Sequence, residues 1–392
     1  MKNDWPVRKL GEVADIIGGY AFKSSNLVNS QLSQEFLPVI KIGNFNNGSL
    51  NLDQLQYHKF RNELSRFLIR QKDILMAMTG ATVGKVGISN SDRLLLNQRV
   101  GLIRAKENTA LQDYLKFFLL SDSFYKYCQI TAGGGAQRNI SPTQIMNFAL
   151  PLPSLSIQKI IVEKLNTIRK AQELNDLQIS KTEELFESIL ESEITIASAD
   201  LKELNFFTQL VTYGFTNPMP TAKEGPFMVT AKDIVDWEVS YQTCRKTTRL
   251  AYDTLITDKS RPKMDDILLT KDGALGRVAL VTKIPLCINQ SVALIRPDKT
   301  KIDPTFLKFL LESSKYQHEM LANAGGTTIK HIYISVVDKM KIAVPSLKEQ
   351  KRIVEKLSKV RDYKKLLLRQ KALLKELFDS VLDICMKGDL VN

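Results

Sequence analysis

A chain of 392 residues, 44% hydrophobic and with a formal net charge of +13, is long enough to bury two cores of roughly 150 residues each. No apolar run approaches the ~20 residues a membrane span needs, and the charged first residues lead into no signal-like stretch, so a cytoplasmic protein with no membrane contact is expected. The four cysteines, Cys128, Cys244, Cys287 and Cys385, have no paired spacing, which argues against a disulfide framework or a zinc site.

In chain order, Leu37 to Phe45 reads as a short strand ending in a polar turn, and Asp73 to Met78 as an apolar strand running into the glycine-bearing turn Gly80 to Gly84. Leu94 to Arg104 reads as a buried strand interrupted by Asn97-Gln98, and Leu111 to Ile130 has the apolar spacing of a helix. From Pro153 a long helix is expected, with Ile161, Leu165, Ile168, Gln172, Asn175, Ile179, Thr182, Phe186, Ile189 and Glu193 at alternating spacings of four and three. The same order then recurs. Phe227 to Ile234 and Asp266 to Thr270 are strand candidates, Leu286 to Arg296 is a buried strand carrying Asn289-Gln290, and Pro304 to Ala322 is a helix. A second long helix from Pro345 carries Ile353, Leu357, Val360, Lys364, Leu367, Lys371, Leu374, Phe378, Val381 and Cys385 on its seam.

This recurrence is a true internal repeat. Residues 153–165 read PSLSIQKIIVEKL and residues 345–357 read PSLKEQKRIVEKL, ten of thirteen positions being identical at a separation of 192 residues. Upstream, Asp73-Ile74-Leu75 matches Asp266-Ile267-Leu268, and Leu102-Ile103-Arg104 matches Leu294-Ile295-Arg296. The expected fold is therefore α+β: two homologous mixed α/β domains, residues 1–152 and 199–344, separated by two long helices, 153–198 and 345–392. The first helix is net acidic and the second net basic, so the two should pair with each other as an intramolecular antiparallel coiled coil. Such a pair relates the two domains by a pseudo-twofold axis and spaces them like a ruler.

Catalytic chemistry is missing from the sequence. Gly80-Ala-Thr-Val-Gly84-Lys85 resembles a phosphate loop, but three residues rather than four separate the glycines, and Val86 stands where a Ser or Thr is needed. His58, His318 and His331 have no partner at metal-ligand or nucleophile spacing. Both globular segments are net basic, which suits a phosphate-binding surface and equally a merely soluble chain. If the partner is DNA, glycine turns let backbone amides approach phosphate, with Lys85, Lys271 and Arg277 supplying charge. Gln137, Arg138 and Asn139, with Lys330 and His331, have donor types that read base edges or grip phosphate. Lys41, Asn44, Asn46 and Asn47, with Lys232 and Asp233, follow strand ends and are further candidates. Arg99 is a candidate beside Asn97-Gln98, whose amides are expected to satisfy backbone inside the strand.

Taken together, the paired PSLxxQKxIVEKL helices, the Asp-Ile-Leu strands running into GATVGKVG (80–87) or DGALGRVA (272–279), the Asn-Gln strands and the loops GGGAQRNI (133–140) and GGTTIKHI (325–332) resemble the specificity subunit of type I restriction-modification systems. The resemblance covers nearly the whole chain; Asn205 to Phe207 matches poorly the Leu-Gly-Glu-Val that opens the first half. It implies two target recognition domains, each reading one half of a bipartite sequence in double-stranded DNA. It also implies that the helices, through residues such as Ile161, Leu165, Ile168, Phe186, Ile353, Leu357, Val360 and Phe378, space the domains and dock adenine methyltransferase subunits. Such a subunit is not itself an enzyme and binds no cofactor; S-adenosylmethionine, ATP and Mg belong to the modification subunits and to ATP-dependent restriction subunits. Two other classes stay open, a stand-alone two-headed DNA-binding protein and a coiled-coil scaffold.

Overall fold

The computed structural model describes residues 5–46, 48–133, 138–196, 201–325 and 330–386. By its internal contacts the chain divides into two units, Met1–Asn175 with Gln370–Asn392, and Asp176–Arg369. Each unit thus combines one globular half with a stretch of both long helices, Leu155–Ile196 and Leu347–Met386.

In the first unit, Ala14–Gly18, Val100–Ala105, Ile74–Ala77 and Val86–Ile88 form an antiparallel sheet in that order. A second sheet orders Gln56–Lys59, Phe36–Ile40, Leu94–Leu96 and Leu68–Ile69, with Phe36–Ile40 and Leu94–Leu96 running parallel. The second unit repeats this plan. Thr208–Tyr213, Val292–Pro297, Ile267–Thr270 and Val278–Leu280 make the antiparallel sheet. Arg245–Lys246, Ala222–Val229 and Leu286–Ile288 make the other, again with two strands, Ala222–Val229 and Leu286–Ile288, running parallel.

Three sequence expectations change. The expected strand over Leu94 to Arg104 is two strands in two different sheets, joined by a turn at Asn97-Gln98-Arg99, and Leu286 to Arg296 divides in the same way. The Asn-Gln pairs therefore lie on turns, where Gln98, Arg99 and Gln290 are exposed, instead of inside strands. Each expected domain helix is also two. Gln112–Leu119 stops before Asp122–Thr131, and Pro304–Glu312 before Ser314–Ala322. At both breaks a serine hydroxyl turns back on the finished helix, Ser121 donating to the Phe118 carbonyl (2.6 Å) and Ser313 to that of Leu310 (2.7 Å). Finally, Leu37 to Phe45 is strand only to Ile40, after which Ile42–Asn44 makes a 3₁₀ turn.

Several repeated residues prove to be paired with each other. Asp73 accepts from Arg104 Nε (2.8 Å) and the Arg70 amide (2.6 Å), and Asp266 accepts from Arg296 Nη2 (2.7 Å) and the Lys263 amide (2.7 Å). The matched Asp-Ile-Leu and Leu-Ile-Arg segments thus form one largely buried ion pair across neighbouring strands of each unit. The repeated glutamine of PSLxxQ is likewise a latch. Gln158, fully buried, accepts from the Leu111 amide (2.8 Å) and donates to the Pro153 carbonyl (2.9 Å). Gln350 accepts from the Asp303 amide (2.6 Å) and donates to the Pro345 carbonyl (2.8 Å). Even the poorly matching opening is equivalent in space: the Leu10 amide bonds to Phe148 (2.8 Å) and the Leu204 amide to Met340 (2.9 Å), both leucines being fully buried.

The long helices pair antiparallel within each unit. In the first, Gln172 Nε2 donates to the Leu374 carbonyl (3.1 Å), while Ile161, Leu165, Leu382 and Cys385 close the core beneath Tyr114 and Phe118. Ile168 is half-buried, and Phe378 packs against Phe117 at 5.9 Å between ring centroids. In the second, Glu193 pairs with Arg352 and Lys356, and Glu183 with Lys364. Phe186, Ile353, Leu357 and Val360 pack there with Phe306 and Leu307. Every expected seam position is buried or half-buried except Lys371. Three polar ones are enclosed as tightly as the apolar, with Asn175 at 2%, Thr182 at 5% and Glu193 at 7% exposure. Opposite charge on the two helices is thus realised as ion pairs between them.

Candidate nucleic-acid interface

In each unit, segments far apart in sequence are laced by backbone hydrogen bonds into one surface where the two sheets meet. In the first unit the turn Asn97–Arg99 is the hub. The Asn97 amide donates to Ile40 (3.2 Å), the Gln98 amide to Tyr20 (2.8 Å), and the Arg99 carbonyl accepts from Met78 (2.9 Å). Beyond Met78, the Ile140 amide donates to the Met78 carbonyl and the Gly80 amide to that of Arg138, both at 2.9 Å. The lysine-bearing strand end, the glycine turn, the Asn-Gln-Arg turn and the Arg138–Ile140 loop are thereby neighbours.

The second unit builds the same lace. The Asn289 amide donates to Val229 (3.3 Å), the Gln290 amide to Phe215 (2.8 Å), and the Ser291 carbonyl accepts from Lys271 (3.0 Å). The Ile332 amide then donates to the Lys271 carbonyl (2.9 Å). One contribution had no sequence signal, the segment carrying Tyr20 in the first unit and Phe215 in the second. It is held by close approach: a Cβ on Gly19 would stand 2.0 Å from the Asn97 carbonyl oxygen, and one on Gly214 1.9 Å from that of Ile288. Only glycine fits under those carbonyls.

Most expected site residues lie on these surfaces, in differing states. Lys85, Arg99, Lys232 and Lys330 are exposed and make no ion pair among the described residues. Arg138 is exposed and donates to the neutral amide of Gln129. Asn139 is exposed and bridges Thr79. Gln137 and Asn47 lie outside the described residues. Lys41 donates to Gln56. Asn44 is engaged in its own turn, accepting from the Lys41 amide (2.8 Å) and donating to the Asn51 carbonyl (3.2 Å). Asp233 does the equivalent work, accepting from the amide (2.9 Å) and hydroxyl (2.7 Å) of Thr230. Arg277 is exposed but anchors on the Ile234 carbonyl (2.9 Å). These side chains shape the surface more than they project from it.

Lys271, Asp272 and His331 form a cluster. Lys271 Nζ lies 2.9 Å from the Asp272 carboxylate and 5.6 Å from the Tyr213 ring centroid, and His331 Nδ1 hydrogen-bonds the same carboxylate. Burial opposes ionisation of Asp272, but the His331 and Lys271 hydrogen bonds hold its carboxyl below the usual value. Together with Asp233 this accounts for the acidic side chains in the second surface. The first surface, made of residues 20–23, 41–44, 78–85, 97–99 and 138–140, contains no Asp or Glu. The half-buried Arg104 and Arg296 are matched to Asp73 and Asp266. The exposed Lys85, Arg99, Lys232 and Lys330 of these surfaces have no carboxylate partner among the described residues, which suits an anionic partner.

Among the described residues no helix is long and apolar enough to cross a membrane. Among the described residues no three His, Cys, Asp or Glu side chains cluster as a metal site would require. All four cysteines are buried and free, burial pushing the Cys128, Cys244 and Cys287 thiols up to about 12.

The sequence matches the family model of the type I restriction modification DNA specificity domain over residues 2–184 and 240–376. It is similar to the EcoBI type I restriction enzyme specificity subunit of Escherichia coli, 23% identical over 425 residues that span 99% of this chain and 86% of the relative. It is also similar to the putative MjaX specificity subunit of Methanocaldococcus jannaschii, 24% identical over 418 residues, 99% and 94% of the two chains. Among solved structures, a chain from a study of complex assembly and conformational transition of the type I R-M system has a TM-score of 0.62 at 21% identity, covering 98% of both chains. The type I restriction-modification S subunit from M. genitalium has a TM-score of 0.56 at 13% identity, covering 99% and 96%. These structural likenesses establish the fold, and with the family match over most of the chain they place it: the chain belongs to the type I restriction-modification DNA specificity family.

Proposed function

We propose that each laced surface reads one half of a bipartite site in double-stranded DNA, and that the chain thereby directs adenine methylation by modification subunits and cleavage by ATP-dependent restriction subunits. The observation that carries this reading is the doubling. Two surfaces of the same construction recur in one chain, each presenting exposed cations without carboxylate partners, while the side chains that would vary a sequence preference differ between them. Arg138 in one is Lys330 in the other; Asn139 is His331; Lys85 is Arg277. The chain itself positions DNA, and chemistry belongs to its partners, which carry S-adenosylmethionine, ATP and Mg in the cytoplasm. A stand-alone regulator or a coiled-coil scaffold is disfavoured by membership of the specificity family.

The test is methylome sequencing. The chain is co-expressed with its cognate methyltransferase in a host free of adenine methylation, and N6-methyladenine is mapped genome-wide. A bipartite motif with a fixed gap, absent when either protein is omitted, is the expected result. A soluble complex that methylates nothing, or one that methylates a continuous site, refutes the reading.

A further inference from the structure

We propose that Arg245 reads a guanine in the half-site taken by the second unit, a role that rests on the DNA-reading function argued above. Arg245 lies on the edge strand Arg245–Lys246, whose pairing with Ala222–Val229 sets Met228 opposite Arg245 and Phe227 opposite Lys246. Because side chains alternate along a strand, these two pairs occupy opposite faces. Lys246 stacks over the Phe227 ring at 5.4 Å, so Arg245 takes the other face. There it lines a concavity of about 310 Å³ with Thr230, Asn289, Gln290 and Asn217, at the hub of the second lace.

The first unit has the equivalent strand positions with different chemistry. Register places Gln56 opposite Val39, as Arg245 is opposite Met228, and Lys41 where the second unit has Thr230. In the first unit the position is closed: Lys41 donates to Gln56 Oε1, and Gln56 Nε2 donates to Asn29 Oδ1 (3.0 Å). In the second it is open. The Thr230 hydroxyl is turned to Asp233 (2.7 Å), Asn289 Oδ1 accepts from Ser291 (2.6 Å), and the exposed Arg245 guanidinium has no hydrogen bond or ion pair among the described residues.

A guanidinium is a planar fork of five donors with no acceptor. Its complement is a pair of acceptors in one plane, either the O6/N7 edge of guanine or two oxygens of a phosphate. Arg245 shares its concavity with the exposed Gln290, whose amide is another base-edge reader, whereas the unpaired Lys232 and Lys330 of the same surface supply point charge for phosphate. This division of labour favours the base.

The experiment uses the complete complex with its methyltransferase. Wild type, Arg245→Ala and Arg245→Lys are compared by methylome mapping and by competition binding to duplexes substituted at each position of both half-sites. In both variants one guanine of a single half-site should lose its preference by roughly 5- to 150-fold, the range a bidentate pair discriminates, with the other half-site unchanged. Arg245→Lys keeps the charge and should retain most of the total affinity. Weakening that is uniform across all sequences in Arg245→Ala and restored by Arg245→Lys overturns the base role and assigns phosphate. An unaltered motif in both variants, or a wild-type motif in which neither half-site contains guanine, also overturns it while leaving the two-headed reading intact. A wild-type complex with no bipartite motif overturns both.

Discussion

Replacing Gly214 with Ala isolates the lace from the rest of the fold. The added Cβ would stand 1.9 Å from the Ile288 carbonyl oxygen and 2.3 Å from its carbon, where real contacts keep at least 3.0 Å. The segment must therefore retreat by about an ångström, more than a hydrogen bond tolerates. Three backbone bonds hold it: Gly214 to Val292 (3.2 Å), Phe215 to Ile288 (3.0 Å) and Gln290 to Phe215 (2.8 Å). At ~1 kcal/mol net each, their loss costs about 3 kcal/mol, roughly a hundredfold in the population of the assembled surface. Binding of the methyltransferase complex to duplexes carrying both half-sites, or only one, is the assay, at fixed salt. Affinity contributed by one half-site should fall by about that factor and the other should be retained. Gly19→Ala, whose Cβ would stand 2.0 Å from the Asn97 oxygen, should produce the mirror image. If Gly214→Ala binds both half-sites as wild type does, the lace does not form the reading surface and the reasoning fails.

Further outcomes follow from particular contacts. Lys85→Ala and Lys330→Ala should each weaken binding evenly across sequences and flatten the slope of log affinity against log salt by about one unit; an unchanged slope removes them from the phosphate set. Asp266→Ala strands Arg296, which is 15% exposed, and should cost about 3–5 kcal/mol in hydrogen-exchange protection of Val292–Pro297. Asp73→Ala should cost less, since Arg104 is 25% exposed and keeps its bond to the Leu68 carbonyl; the reverse order would contradict this accounting. Glu193 is held below the ordinary 4.5 first by its Lys356 hydrogen bond and then by Arg352. A depressed carboxyl stabilises the folded state above its unfolded value, and that contribution disappears as pH falls through the lower folded value. Protection of the helix pair in the second unit should therefore decline on acidification below about 4.5, and Glu193→Gln should flatten that decline. An acid profile identical to wild type would show the pair to be dispensable.

The periodic elements were legible in the sequence because their signals are local. Spacings of four and three found both long helices and nearly the whole seam, including Asn175, Thr182 and Glu193, whose polarity gave no hint that they are enclosed. The boundaries were less legible. Ser121 and Ser313 interrupt helices whose apolar spacing runs on unbroken, because the break depends on one hydroxyl meeting one carbonyl. The Asn-Gln turns looked like strand interiors because apolar residues flank them on both sides. They separate strands that belong to different sheets, which a periodicity of two does not reveal.

Two homologous halves, the two helices that run through them and the loops that carry donors can all be read from the sequence. These follow from repetition and spacing along one dimension. The tertiary structure decided which donors remain available. Asn44 and Asp233 were drawn into their own turns, Arg277 into a backbone carbonyl and Gln56 into a closed chain with Lys41, while Arg245, with no motif to announce it, was left open. The physical reason is that a polar group near a protein surface first satisfies whatever partner the fold brings within about 3 Å. Some of those partners are local, three residues away for Asn44 and Asp233, while those of Gln56 and Arg277 lie 15 and 43 residues away, so which side chains stay available is fixed only when the lace closes.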